Sequence, residues 1–360
     1  MNGADVSREV KAGEFFHGRD FSGWDFAGLD ISGGIFIEVN FQGGDFRGAD
    51  LREATFNQCS FSGADFSKAN LSSAAMVQCD CSRGVFSETD ANQVKFIESD
   101  LTDADITGAR MVSGVLSQAR LNGARFSSAL LDTTLFAECD LERVDFSMAT
   151  LEKVIFFSSR FADTLFTGTQ LLLCFFHQAN LRGVDFSGLN LSRTQFSACD
   201  LTGCNFTRAV LTQGGFMGAK LKESIFSEAR CELANFFEAD LQGVRMLDTQ
   251  LRQALMQKAK LSGSDLSNAN LEMAQLAEAV AVQSRFAGAN LTHADLSHAQ
   301  LRASDFSNTT MALANLHETD EQDVRWDGAS RSLAKGSDAN RRQAEQWGKR
   351  KSGDSVGQGR

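Results

Sequence analysis

The sequence predicts an elongated solenoid of short repeats, and three observations support this fold class. An apolar residue, large at all but four positions, recurs at every fifth position from Phe16 to Leu316, through 61 consecutive pentads without an insertion. The four small centres are Cys81, Ala91, Cys231 and Ala281. A small residue usually stands two places before each centre, as Ala64 does before Phe66. This period is neither the two of a strand nor the 3.6 of a helix, so it indicates a self-similar array. The chain contains no proline, as expected where nearly every backbone N–H is needed in a ladder.

The repeat itself resembles that of the pentapeptide repeat family. Typical units are Gly63-Ala-Asp-Phe-Ser67 and Gly288-Ala-Asn-Leu-Thr292, and the resemblance covers about residues 16 to 320. The resemblance implies an all-β fold, a right-handed quadrilateral parallel β-helix with one pentad per side and four per coil. It says much about the fold and little about the function.

Sorting the central residues by a period of 20 supports a four-sided coil. Of the 30 Phe residues, 22 fall in two columns, one through Phe36 and Phe56 and the other through Phe46 and Phe66. Columns dominated by Leu run between them. Strictly, this alternation has a period of ten, and four sides is the smallest closed solution that agrees both with it and with the family.

Three segments follow from the pattern: a polar lead-in over residues 1–15, the β-helix over 16–320, and a basic C-terminal tail over 321–360. At 20 residues per coil the array makes about 15 coils, and at the spacing of paired strands the rod is about 70 Å long. The lead-in shows no obvious capping domain, and Trp24 is expected to close the first coil. In the tail, residues 337–347 predict a short helix with Ser337 or Asp338 as N-cap, which could cap the last coil.

Composition excludes several classes of protein. No apolar run reaches transmembrane length, and residues 1–12 are too polar for a secretory signal, so a cytoplasmic protein of bacterial type is expected. All eight Cys occupy inward positions of the repeat, which predicts buried core thiols and neither disulfides nor a metal site. Direct nucleic-acid binding by Lys349-Arg-Lys351 is not expected from three charges.

No catalytic, cofactor-binding or metal-binding residues are predicted. All five His are expected to point outward, no two of them are spaced to stack, and no triad or phosphate loop is visible. Asp and Asn recur at a fixed place in the repeat, which is typical of turn formers. The sequence therefore predicts a non-enzymatic protein.

One side of the predicted coil carries outward apolar residues, whereas the other three are polar. The stripe would be about 34 Å long. An apolar patch of that extent has about the area at which a patch on a monomer surface suggests a partner. It predicts a protein-interaction scaffold that binds a protein or a second copy of itself. The alternatives are that nothing binds there, or that the C-terminal tail folds back over it. The apolar stripe comprises Ile35, Ile37, Val77, Ile97, Val115, Leu135, Ile155, Phe157 and Phe175.

An acidic ladder supports a second function. Some pentapeptide repeat proteins bind DNA topoisomerases in place of DNA, so the resemblance implies mimicry of a duplex as an alternative. Residues 16–110 carry 15 acidic and 7 basic residues, a net −8, over about 23 Å, where DNA would carry about 13 charges. A third alternative from the family is an accessory or effector protein of a bacterial secretion system. The acidic ladder comprises Asp25, Asp45, Asp65, Asp105, Asp145 and Asp185.

Overall fold

The computed structural model describes residues 1–353, with side chains up to residue 347. Within this range the chain forms a parallel β-solenoid with a helix at each end, α1 at Gly3–Lys11 and α2 at Ala339–Gly353, and a 3-10 turn at Arg331–Leu333. The strands are β1 Phe16–His17, β2 Ile35–Ile37, β3 Thr55–Asn57, β4 Ala75–Val77, β5 Lys95–Ile97, β6 Arg110–Val112, β7 Val115–Ser117, β8 Leu130–Asp132, β9 Leu135–Ala137, β10 Thr150–Glu152, β11 Ile155–Phe157, β12 Gln170–Leu172 and β13 Phe175–His177.

Parallel pairing joins residues 20 apart along the chain. Phe16 pairs with Phe36 in β2, and the same offset recurs up to the bridge between Asn315 and Lys335. Each coil therefore contains four pentads. The coil is four-sided, and the period of ten seen in the sequence corresponds to half a coil. The predicted fold class is confirmed.

Regular strands occupy only part of the rod. One side carries a nine-stranded sheet, β1-β2-β3-β4-β5-β7-β9-β11-β13, and the preceding side a four-stranded sheet, β12-β10-β8-β6. Nine strands make eight steps of 20 residues, so regular strands on this side mark about half of the roughly 15 coils expected. From Gln195 to Lys335 the same register continues as isolated bridges, because there the residue after each centre already enters a turn.

The interior is filled by the central residues and by the small residues two places before them. Phe rings of one column stack along the axis, as Phe26 on Phe46 at 4.8 Å between centroids. The two Phe columns lie on opposite sides and meet edge to face, as Phe126 and Phe136 do at 6.0 Å. Both arrangements are favourable for aromatic pairs. Each coil therefore packs through its axis onto the coils before and after it.

The cysteines behave as predicted. All eight are free and buried, and burial raises the pKa of Cys139 to about 11. A thiol with so high a pKa carries little of the nucleophilic thiolate. These residues are part of the core.

The N-terminal lead-in is where the structure differs most from the prediction. Residues 3–11 form α1, which begins with a capping box between Asn2 and Asp5. Val6 and Val10 are buried against the first coil, and Lys11 pairs with Asp30 at 2.7 Å. The lead-in thus contains a capping element that was not obvious in the sequence, because two valines on one helix face are enough to cover the open end. Trp24 is partly buried against the core, with its ring 4.6 Å from that of Phe21 between centroids.

The C-terminal end is closed by residues beyond the last regular pentad. Trp326 lies against Phe306 at 4.9 Å between ring centroids, and the Arg331 guanidinium lies over Trp326 at 5.2 Å. The predicted tail helix is present as α2. Asp338 is its N-cap, because its Oδ1 accepts from the backbone N–H groups of Asn340 and Arg341 at 2.8 and 3.0 Å. The predicted basic end, from Gly348 on, lies outside the residues whose side chains are described.

Candidate functional site: an apolar patch on one side of the solenoid

The nine residues of the apolar stripe all lie on the nine-stranded sheet and flank its buried centres. The stripe is uneven along the rod. Val115, Leu135, Ile155 and Phe175 stack in direct register through four successive strands, whereas Thr55, Ala75 and Lys95 separate Ile35 from them. The continuous part of the stripe is therefore its C-terminal half, over β7, β9, β11 and β13.

The side chains of this half are accessible. Ile155 is 41% exposed, Phe157 37% and Phe175 47%. Leu135 is half-buried between its neighbours in the sheet. Isolated exposed apolar residues are ordinary on a protein surface, but a contiguous group indicates an interaction site.

The structure extends this group around a corner of the coil. Leu130 and Leu172 lie on the four-stranded sheet of the preceding side, and Leu173 lies at the corner with φ 55°. All three are about 40% exposed. Sequence reasoning missed them because it treated each side of the coil separately, although their positions beside the centres Leu131 and Leu171 were visible. Leu130 stands apart from the others, between Arg110 and Thr150 in its sheet. The apolar patch, as the term is used below, comprises Val115, Leu135, Ile155, Phe157, Leu172, Leu173 and Phe175.

Helix α2 does not cover the patch. It docks on the same side of the solenoid, but its contacts are to the last coils, through Glu345 to His298 and His317 and through Arg342 to Glu318. The centre Leu296 comes 120 residues after Phe176, which is six coils or about 29 Å along the rod. In the described part of the chain, the fold-back alternative is therefore not observed.

The docked helix covers two histidines of adjacent coils, His298 and His317, contrary to the prediction that all five point outward. The rings of His298 and His317 meet edge to face at 5.3 Å, and His317 is only 1% exposed. Both reach Glu345, at 3.2 and 3.4 Å from Nε2. Burial raises the pKa of Glu345, but hydrogen bonds from Arg341, His298 and His317 outweigh it and lower this pKa to about 2.

This cluster has the donor atoms of a metal site but the wrong protonation pattern for one. One ligand atom from each of His298, His317 and Glu345 lies within 4.8 Å of the others. However, the backbone N–H of Asp338 donates to Nδ1 of His317 at 3.0 Å, which keeps the proton of the neutral ring on Nε2, the atom facing Glu345. A metal-binding histidine instead donates through its other nitrogen. The arrangement fits helix docking better than metal binding.

The acidic ladder follows the side of the coil opposite the apolar stripe, with interruptions. Asp25, Asp45 and Asp65 stack through parallel bridges, but Val85, Arg125 and Leu165 occupy later rungs. The ladder carboxylates also have local structural roles. Oδ1 of Asp25 accepts from the N–H of Ala27 at 2.9 Å, as expected of a turn-forming residue.

Arginines neutralise part of the ladder. Arg47 pairs with Asp45 at 2.5 Å and Arg125 with Asp105 at 2.6 Å. Hydrogen bonding to Arg47 lowers the pKa of Asp45. Burial raises the pKa of Asp105, but hydrogen bonds from Thr107 and the charge of Arg125 outweigh it and lower the pKa. Part of the charge of Asp45 and Asp105 is therefore compensated within the protein.

Among residues 1–353, no helix combines the length and apolar character needed to span a bilayer.

Several solved structures are similar to this chain. A pentapeptide repeat protein of the Arabidopsis thaliana thylakoid lumen is 31% identical over 28% of this chain and 69% of its own, with a TM-score of 0.27. A trypsin-treated variant of QnrB1, a plasmid-mediated fluoroquinolone resistance protein, is 22% identical over 58% and 87%, with a TM-score of 0.31. HetL, involved in heterocyst differentiation regulation in the cyanobacterium Nostoc, is 21% identical over 93% and 96%, with a TM-score of 0.17.

These TM-scores are too low to support an argument about function, and no curated protein matches the chain. The family models are more informative. The pentapeptide repeat region matches residues 49–126, and the model of eight pentapeptide repeat copies matches seven overlapping or adjacent stretches between residues 119 and 320. Together they cover well over half of the sequence, in the same residues that form the solenoid. The chain belongs to the pentapeptide repeat family.

Proposed function

We propose that this protein is a non-catalytic scaffold that binds a partner protein through the apolar patch. The observation that supports it is the unbroken column of Val115, Leu135, Ile155 and Phe175, extended around the corner by Leu172 and Leu173. The fold does not need apolar side chains there, since the equivalent column continues as Gln195, Gly215 and Asn235 in later coils with the same register.

The patch has the properties of a recognition surface. Its side chains at Leu135, Ile155, Phe157 and Phe175 stand on backbone that is paired on both sides, so little backbone freedom is lost there on binding. Phe157 and Phe175 supply aromatic groups, which are enriched in protein interfaces. Apolar surface buried at about 25 cal/mol per Å² would drive association.

Charge mimicry of DNA is supported less well. Residues 16–110 carry a net charge of −8, which is smaller in magnitude than the charge of a duplex of similar length. Arg47 and Arg125 form ion pairs with two of the ladder carboxylates. The interrupted rungs further reduce the regularity of the charge. We therefore place the partner on the apolar side.

The first test is light scattering coupled to size exclusion on the native chain and on Leu135→Lys with Ile155→Lys. A native dimer that becomes a folded monomer would identify the partner as a second copy. If both are monomers, the native chain and the variant serve as baits for a heterologous partner, which the variant should fail to retain.

A matched control comes from the same column. Leu255 is 39% exposed at the position equivalent to Ile155, five coils later, between Asn235 and Gln275. Leu255→Lys introduces a charge of the same sign outside the patch, so it should leave both the oligomeric state and the partner unchanged. Loss of binding in both variants would reflect charge alone, and retention in both would contradict the proposal.

A further inference from the structure

Each coil of the rod is normally tied to the next by a regular set of backbone hydrogen bonds. At Phe146, the central N–H donates to the Leu165 carbonyl at 2.9 Å, and the N–H of Leu165 returns to Val144 at 2.9 Å. Met148, two residues after the centre, donates to Thr167 at 2.9 Å. Equivalent bonds recur along the rod on all four sides.

Between one coil and the next this ladder is interrupted on two adjacent sides. Bridges join Asp145 to Leu165 and Asp185 to Asn205, but not Leu165 to Asp185, nor Gln170 to Asn190. All of these residues are within the described range. We call the interruption the seam. The backbone N–H groups that lack their usual partner in the adjacent coil are those of Asp163, Phe166, Gly168, Leu171, Leu173, Asp185 and Asn190.

The other two sides remain paired. Arg160 bridges Asn180 and Phe175 bridges Gln195, so the coils stay joined along the corner between these sides. At that corner the N–H of Gln178 reaches the Ser197 carbonyl at a longer 3.3 Å. The seam is thus a wedge, open on two sides and closed on the opposite two.

A cleft marks the open side. It has a volume of about 300 Å³ and is lined by Leu165, Phe166, Gly168, Asp185 and Leu189. Beneath it, the Phe166 and Phe186 rings are 5.3 Å apart, no further than Phe146 and Phe166 at 5.5 Å in the regular coil before, so the core stays in contact across the seam. An inserted strand would need a further spacing of about 4.8 Å, so the gap is too narrow for a peptide and suits water.

The sequence contains a physical cause. Leu189 occupies the position two before a centre, where the coils before and after have Thr169 and Ala209. No other Leu occupies such a position between Gly34 and Ala314. Leu189 remains 9% exposed at the cleft, and on the neighbouring side Val184 follows Thr164. Side chains too large for a packed layer push the surrounding backbone apart.

We propose that the seam is a hinge that divides the rod into two rigid blocks, about residues 16–175 and 180–335. Bending takes place about the paired corner near Gln178, and it opens or closes the wedge without breaking the ladder on the paired sides. In a solenoid, stiffness depends only on contacts between neighbouring coils. Removing bonds from one interface therefore localises bending there, whichever partner the rod binds.

The first experiment measures amide hydrogen exchange by mass spectrometry on the full chain. Peptides covering 163–173 should exchange at least about tenfold faster than peptides covering 143–153, which occupy the same sides one coil earlier. Equal protection of the two segments would overturn the seam. Leu189→Ala should slow exchange in 163–173 toward the level of 143–153, and unchanged exchange in a folded variant would overturn Leu189 as the cause.

A reciprocal variant tests the same cause elsewhere. Ala229 belongs to the same column as Leu189, two coils later. Ala229→Leu should open a second seam. Amide exchange should then be faster in residues 206–213 and unchanged in residues 246–253. Normal protection in 206–213 in a folded variant would count against the wedge mechanism.

Bending itself is measured by spin-label distances. Labels replacing Arg125 and Arg245 span the seam, and labels replacing Asn205 and Arg325 lie six coils apart on the same side within the second block. The native thiols should label slowly, since burial raises the pKa of Cys174 and Cys199 to about 12. The spanning pair should show the broader distance distribution, and it should narrow in Leu189→Ala. Equal widths for the two pairs would overturn the hinge.

Discussion

The coils before the seam and those after it have the same interior and different exteriors. Both blocks stack Phe rings at similar spacing, 4.8 Å for Phe46 and Phe66 and 4.8 Å for Phe216 and Phe236. The first block carries the three-residue strands and the apolar patch, whereas the second has isolated bridges and mostly polar outward residues. The comparison shows that the inward residues alone determine the fold, so the outward residues are free to differ in function.

If the interiors are equivalent, a buried charge should be equally damaging in both blocks. Phe146→Asp and Phe226→Asp each remove a fully buried ring and leave an unpaired carboxylate in the core, so each should lower the free energy of unfolding by at least about 4 kcal/mol. Thermal melts followed by circular dichroism measure this loss. A melt that is unchanged in either variant would contradict the inward assignment for that block.

The two ends of the rod differ in how they are protected, and this gives a smaller effect. Val6→Asp places a charge at the buried interface between α1 and the first coil, and should cost about 2 kcal/mol. Because coils interact mainly with their neighbours, the faster amide exchange should be confined to the first coils. Glu9→Ala, on the exposed face of α1, is the control, and uniform destabilisation along the rod would argue against local capping.

The docking of α2 should depend on pH through the Glu345 carboxylate. Glu345, facing Arg341, His298 and His317, has a pKa lowered from 4.5 to about 2. Its contribution is therefore complete above about pH 4.5 and is lost as the pH falls toward 2.

Pepsin cleavage within α2 provides the measurement in this acidic range. Cleavage of the native chain relative to Glu345→Gln should be slower at pH 4.5 and approach that of the variant near pH 2. A constant ratio between the two across this range would show that Glu345 does not hold the helix.

The sequence was sufficient for the parts of the structure that repeat. The inward place of Phe146, the free buried state of Cys139 and the shared side of Ile155 and Phe175 all follow from position within the pentad. Features that join different parts of the chain could not be read in this way. The repeat already makes His298 and His317 neighbours on adjacent coils, but their cover by α2 and their contacts with Glu345 become evident only in the structure. The seam was not predicted because Leu189 is apolar, like many residues at equivalent inward positions, and differs from them only in its size.

The smallest expected effect concerns the acidic ladder of the first block. Replacing Asp45, Asp65 and Asp105 by Asn keeps a side-chain oxygen for the turn, as Asn40 and Asn70 already provide for Gln42 and Ser72 at 3.0 Å. Only exposed ion pairs are lost, worth about 0 to 1 kcal/mol each, so the melting temperature should change little at neutral pH.

The same triple variant tests duplex mimicry. If the native protein inhibits a topoisomerase and the variant inhibits it equally, charge mimicry is the wrong mechanism, whereas loss of inhibition by a folded variant would give the ladder a role that the apolar patch does not explain.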